Sequence, residues 1–250
     1  MMEKHIWILG DSPLVEEYTA LFVQHEFETR VRINPEGAVS RVPLGARQFV
    51  ESEQITSAVL ELTALSQETK RKNLVLLDDI VPFHIPILSA SVTATVAEQA
   101  SWLKYPSRLI GIGAFPTLLD SGTIELVQSP TTGNPARVAA EQLVAMLEMH
   151  VALVEDSVGL VMPRILCSLI NEACFALAEQ LAEPEDIDTA MKLGTNYPCG
   201  PFEWAERIGA KHVLAVMKAL HRFYEEDRYR SAPLLQMAAL RNMSLRKMNG

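Results

Sequence analysis

Two hundred and fifty residues, 48% of them hydrophobic, allow one large or two modest domains with a real core and argue against a disordered chain. Asp and Glu number 31 against 22 Lys and Arg, and the net charge of −9 argues against a nucleic-acid partner, because neutralising phosphates takes clustered cations. No uninterrupted apolar run reaches the ~18–20 residues of a membrane span, so no membrane partner is expected.

The opening MMEKHIWILG has no charged segment followed by a long apolar stretch, and no signal peptide is expected. His5 to Leu9 then reads as a strand, Pro13 to His25 as a helix and Thr29 to Ile33 as a second strand. Ala58 to Leu62 predicts a third strand, followed by a polar helix through Leu77. Ile85 to Ser89, Leu109 to Gly113 and Ile124 to Val127 predict further strands. Pro135 to His150 has helical spacing, and Val151 to Glu155 reads as a last strand. Short apolar runs alternating with helical periods are the mark of a parallel sheet with crossover helices. Strand signals stop at Asp156, which sets the expected boundary: an α/β Rossmann-like domain over 1–155 and an all-α domain over 156–250.

In the second domain, Val161 to Leu181 is apolar around most of its circumference and must be covered on nearly all sides, which favours burial against a second subunit. Pro184, with acids in the turn around it, opens a short helix that Gly194 is expected to close. Gly194 to Pro201 (GTNYPCGP) holds two glycines, an Asn and two prolines and predicts a shaped turn, with helix returning at Phe202. Cys167 and Cys174 stand seven apart on one helix, about 10 Å along its axis and too far for a disulfide. They are expected to be buried, reduced thiols of a cytoplasmic protein, and Cys199 a core-packing residue. The three cysteines have no metal-ligand spacing, and no metal is expected.

The run MKLGTNYPCGPFEWAERIG from Met191, the triplet Asn171-Glu172-Ala173 and the segment VEDSVGLVMPRIL from Val154 resemble the C-terminal domain and hinge of the 3-hydroxyacyl-CoA dehydrogenases. AVLELTALSQETKRKNLVLLDDIV, IPILSASVTAT and RLIGIGAFPTLLDSGTIELV are similar to the middle of the family's nucleotide domain, its Ser/Asn/Thr-rich substrate loop and its catalytic segment. The resemblance implies a Rossmann domain with NAD, acyl-CoA substrates oxidised at the 3-hydroxyl, and a homodimer through the helical domain.

Against a dinucleotide fingerprint starting at Gly10, the second and third glycine positions hold Ser12 and Val15. Pro13 removes one N–H, and Asp11, Glu16 and Glu17 place acid at a helix N-terminus where a pyrophosphate would lie. The residues predict a well-capped helix instead, with Asp11 or Ser12 as N-cap. The acid that would hold a ribose hydroxyl is Asn34, a partial loss because an amide still donates and accepts. Any NAD binding through Gly10, Ser12 and Asn34 is expected to be weak or differently posed. The stretch Asn34 to Ser57 is also short for the family.

At the catalytic centre the resemblance places Gly113 at the general-base His, Glu125 at the acid that orients it, Asn171 at the substrate-binding Asn and Thr93 nearest the substrate-binding Ser. Imidazole suits that proton transfer because it titrates near neutrality and a carboxylate can hold its second nitrogen. Of His5, His25, His84, His150, His212 and His221, none lies on the strand or loop concerned. Asn171 has an equal reading as a tether between loops. The expected function is a dehydrogenase-like protein lapsed in hydride transfer that retains an acyl-CoA or related ligand as a dimer. The alternatives are an active NAD-linked enzyme with a rearranged base and a purely structural dimer.

Overall fold

The computed structural model describes residues 4–34, 42–48 and 57–248. Two compact units divide the chain at Leu160 and Val161. The first is built on one eight-stranded sheet in the order β3-β2-β1-β4-β5-β6-β7-β8. Its strands are β1 (His5–Gly10), β2 (Glu28–Ile33), β3 (Ala46–Gln48), β4 (Ala58–Leu62), β5 (Ile87–Ala90), β6 (Leu109–Ile112), β7 (Thr123–Gln128) and β8 (His150–Glu155). Every neighbouring pair is parallel except β6 with β7. The helices α1 (Leu14–Gln24), α2 (Gln67–Ile80), α3 (Val96–Ala100) and α4 (Asn134–Met146) make the crossovers. A mostly parallel sheet with crossover helices is the α/β Rossmann class expected from the alternating pattern.

Continuous apolar runs explain the central strands. Ile6, Ile8, Leu9, Val59, Leu60, Ile87 and Leu109 are all buried, as strands covered on both faces require. Each such side chain contributes roughly 1.5–3 kcal/mol on burial. The helix α2 starts where Ser66 accepts the Thr69 N–H at 3.2 Å and stops at Val81, which is extended ahead of Pro82. Its C-terminal carbonyls are gathered by the buried Arg108, which donates to the carbonyls of Val81 (2.7 Å), Pro82 (2.8 Å) and Asp78 (2.9 Å) and to the Asp78 carboxylate (2.6 Å).

Several boundaries differ from the expectation. Predicted from Ile85, β5 begins at Ile87, because Ile85 closes a turn onto the Pro82 carbonyl and Pro86 cannot donate. The helix expected to reach His150 stops at Met146, with Glu148 in the left-handed region at φ 56°, and His150 already belongs to β8. The three-residue β3 falls in the Asn34–Ser57 stretch, most of which (35–41 and 49–56) lies outside the described residues.

In the second unit run α5 (Met162–Ala178), α6 (Pro184–Thr195), α7 (Pro201–Ile208), α8 (Ala210–Tyr224) and α9 (Pro233–Arg241). Gly194 does not close α6, which continues to Thr195 and ends on Asn196 at φ 56°. An Asn tolerates that conformation through its short polar side chain, so the turn spans five residues before Pro201. There the Asp188 carboxylate accepts the Phe202 N–H at 2.8 Å and pairs with Arg246, while Glu203 accepts the Gly200 N–H at 2.9 Å. These two acids hold the start of α7 in place.

Cys167 and Cys174 are buried on α5. Burial pushes the Cys167 thiol far up and that of Cys174 up to about 12. Cys199 is half-buried, with Sγ 3.5 Å from the Arg207 guanidinium, and so is not the core residue expected. Only the thiolate reacts with disulfide reagents. Ellman's reagent is therefore expected to titrate one thiol in the native protein and three in guanidinium; two fast native thiols would contradict the packing of α5.

Candidate functional site

The carboxyl ends of β1, β2, β4, β5 and β6 form one edge of the first unit, where ligands of such sheets bind. Gly10 closes β1 at that edge, and a Cβ there would overlap the backbone of Leu62, so the close approach of β1 to β4 requires glycine. Asp11 follows, buried at 4% exposure. Its carboxylate accepts the N–H groups of Ala64 (2.7 Å) and Leu65 (2.9 Å) and the Asn34 amide (2.7 Å). It does not cap α1, and neither does Ser12, whose hydroxyl donates to Glu16 at 2.8 Å. Pro13 takes the cap position with no side-chain bond. The acceptors expected to cap the helix are engaged elsewhere, one across the sheet and one on the helix surface.

Asn34, also buried, extends this into a network. Its amide donates to Thr63 Oγ1 at 2.9 Å as well as to Asp11, and its carbonyl accepts from Asn73 at 3.1 Å. Asn73 also donates to Thr63 (3.0 Å) and accepts from Arg32 (2.6 Å). The ends of β1, β2 and β4 and the middle of α2 are thereby tied through side chains of the chain itself. At the first turn of α1, Glu17 accepts the Thr117 N–H at 2.9 Å, which brings the loop after β6 onto that helix end.

Gly113 follows β6 and donates its N–H to the Glu125 carbonyl at 2.9 Å, so the two are cross-strand neighbours. Glu125 is 7% exposed. A Cβ built on Gly113 would lie 2.9 Å from Glu125 Cβ and 3.1 Å from its Oε2, so the carboxylate leans over the place a side chain at 113 would take. Thr93 lies in the loop after β5, at the same edge as Gly113. That loop is held at its start: Ser91 donates its N–H to the Ile112 carbonyl (2.9 Å), and Gly159 donates to the Val92 carbonyl (3.0 Å). Asp156 was not singled out beyond marking the boundary, yet both its oxygens accept N–H groups opening α3, from Val96 and Ala97 at 2.8 Å each. Its partners stand some sixty residues upstream, and no local pattern announces them.

In the second unit, Asn171 on α5 is 3% exposed. Its amide donates to the Arg230 carbonyl at 3.0 Å, and its carbonyl accepts the Ala232 N–H at 2.8 Å. It thus ties α5 to the segment entering α9. Among the described residues, no group of three or more His, Cys, Asp or Glu is placed to hold a metal, and no helix is long and apolar enough to cross a membrane.

The family model for the 3-hydroxyacyl-CoA dehydrogenase C-terminal domain matches residues 159–249. A 3-hydroxybutyryl-CoA dehydrogenase of Bradyrhizobium diazoefficiens is 33% identical over 177 residues, which is 71% of this chain and 60% of that protein. The chain belongs to the 3-hydroxyacyl-CoA dehydrogenase family. A probable 3-hydroxybutyryl-CoA dehydrogenase of Bacillus subtilis is 28% identical over 207 residues, covering 83% of this chain and 71% of that one. Among solved structures, the (S)-3-hydroxybutyryl-CoA dehydrogenase of Ralstonia eutropha aligns over 96% of this chain and 94% of its own with a TM-score of 0.76 and 25% identity. The fold is shared with Mycobacterium tuberculosis FadB2 at a TM-score of 0.83 and 17% identity, over 97% of this chain and 95% of that one. The two-unit architecture is therefore that of a 3-hydroxyacyl-CoA dehydrogenase, a Rossmann-like unit followed by a helical one.

Proposed function

We propose that this member of the family keeps the scaffold, has lapsed in hydride transfer and binds an acyl-CoA or related small molecule as a cytoplasmic homodimer. The observation that supports the reading is Gly113 beside Glu125: a glycine stands where the resemblance implies a general-base His, next to the carboxylate that would orient it. Loss of a general base removes typically ~10²–10⁴-fold in rate. The residues at the dinucleotide position do not fit NAD either. Acid surrounds the α1 N-terminus, Glu17 already binds the Thr117 N–H, and the Asn34 amide is engaged with Asp11 and Thr63. On this reading Thr93 and Glu125 are the side chains assigned to a substrate in the first unit, and Asn171 serves as a tether.

An active enzyme with a rearranged base has one specific observation behind it. His150 pairs with Thr123 and is a diagonal neighbour of Glu125, about 8 Å away between Cα atoms by strand geometry. The imidazole is exposed. For the dimer, the support is exposed apolar surface on the helical unit: Val161, Met162 and Ile165 at the start of α5, Leu193 and Leu240. Light scattering is expected to give twice the 27.7 kDa chain mass.

Thermal melting tests the ligand. Acetoacetyl-CoA at ten times its Kd is expected to stabilise the protein by about 1.4 kcal/mol through mass action, while NAD and NADH leave the melting temperature unchanged. No shift with the CoA ester would leave a structural dimer as the better reading, and a shift with NADH would contradict the account of the dinucleotide position.

A further inference from the structure

The helical unit carries a basic concavity at the junction of α8 and α9. A cavity of about 240 Å³ opens between the last turns of α8 and the start of α9, lined by Lys218, His221, Arg222, Arg230, Ser231 and Gln236. No lining residue is acidic, in a chain whose carboxylates outnumber its cations by 31 to 22. Elsewhere the cations find carboxylates, as Lys70 does in Glu61, Lys104 in Asp79, Arg108 in Asp78 and Arg246 in Glu185. Among the described residues, Lys218, His221 and Arg230 have no carboxylate within ion-pair distance; the Arg230 guanidinium faces the Phe175 ring at 5.9 Å.

Ser231 supplies an independent observation. It is 9% exposed, lines the cavity, and its hydroxyl has no hydrogen-bond partner among the described residues. The hydroxyl is open to the cavity's solvent, so it is a donor that a bound anion can use. It stands just ahead of α9, whose nine residues start at Pro233 and whose N-terminal end carries the positive pole of the helix. Complementing the dipole at the C-terminal end of α8 accounts for Lys218, His221 and Arg222. It does not account for Arg230, Ser231 and Gln236, which converge from the other side.

We propose that this cavity binds the phosphoryl group of a small molecule. Lysine, arginine and hydroxyl donors from several directions outnumber what the two oxygens of a carboxylate accept, and they match a dianion with three or four acceptor oxygens. The volume suits a phosphate or diphosphate, so the remainder of any larger ligand would extend into solvent. The site is independent of the acyl-CoA reading, because it is defined by the anion alone.

Calorimetric titration of the full chain with pyrophosphate, ADP and coenzyme A tests it. Pyrophosphate is expected to bind once per chain. Lys218→Ala and Arg230→Ala should each weaken it about tenfold at unchanged melting temperature, and Ser231→Ala should weaken it less. ADP or coenzyme A binding more tightly than pyrophosphate would assign the site to the phosphate arm of a nucleotide, and equal affinity to a free anion. Absence of binding by all three, or an affinity unchanged in the Lys218→Ala/Arg230→Ala double variant, would overturn the proposal.

Discussion

Lys70→Ala is expected to destabilise the first unit by about 3–5 kcal/mol. Glu61 lies in the middle of the sheet on β4 and is wholly buried, and Lys70 on α2 is 1% exposed. The Lys70 ammonium donates to the Glu61 carboxylate and, at 3.0 Å, to the Thr63 carbonyl. The same carboxylate accepts the Thr63 N–H at 3.1 Å and the Ser89 hydroxyl at 3.0 Å. Every strong group there has a partner, which is the condition under which a buried pair is tolerated. Removing the cation leaves the wholly buried Glu61 carboxyl without its counter-charge. Replacing both partners at once avoids this, so Glu61→Gln with Lys70→Met is expected to recover most of the loss. Urea denaturation of the single and double variants measures both. A single variant within about 1 kcal/mol of the parent would show that water reaches the pair.

Two glycines of the same turn region are expected to respond with opposite signs. A methyl group at Gly200 would overlap the Cα, Cβ and Oδ1 of Asp188, which is backbone and its first carbon and cannot swing aside. Displacing Asp188 also breaks its bonds to the Phe202 N–H and Arg246, which fix the start of α7. Gly200→Ala should therefore cost about 3 kcal/mol and lower the melting temperature of the helical unit by roughly 10 °C or more. Gly194 sits inside α6 with open space where a Cβ would go. Gly194→Ala should stabilise by about 0.5–1 kcal/mol, through helix propensity and a less flexible unfolded chain. Differential scanning calorimetry of the two variants decides the matter; equal or reversed effects would contradict the roles given to Asp188 and Asn196.

The contrast between those glycines also shows which features the sequence made legible. Strong periodic signals carried the class of fold: the apolar runs at β1 and β4 lie where they were expected. Chain punctuation carried the turn, but not its closing residue, because Gly194 and Asn196 are both suited to ending a helix and only packing separates them. The short β3, with Arg47 and Gln48 exposed, has neither the length nor the alternation to be seen. At the candidate site, the positions of Gly113 and Glu125 were readable through resemblance. The engagement of Asp11 was not, because its acceptor oxygens are claimed by Ala64 and Leu65 more than fifty residues away. A sequence window shows a carboxylate beside a helix and suggests a cap. The tertiary fold offers it the N–H groups of Ala64 and Leu65, and satisfying those outweighs capping the start of α1.

The central claim is that a 3-hydroxyacyl-CoA dehydrogenase scaffold persists here without its reaction. Absorbance at 340 nm, followed while the purified protein meets NADH and acetoacetyl-CoA, tests it most directly. The structure of the Gly113–Glu125 pair and of the Asp11–Asn34 network predicts no change that depends on the protein. Steady oxidation of NADH in proportion to protein concentration would contradict it, and would direct attention to His150 as the base.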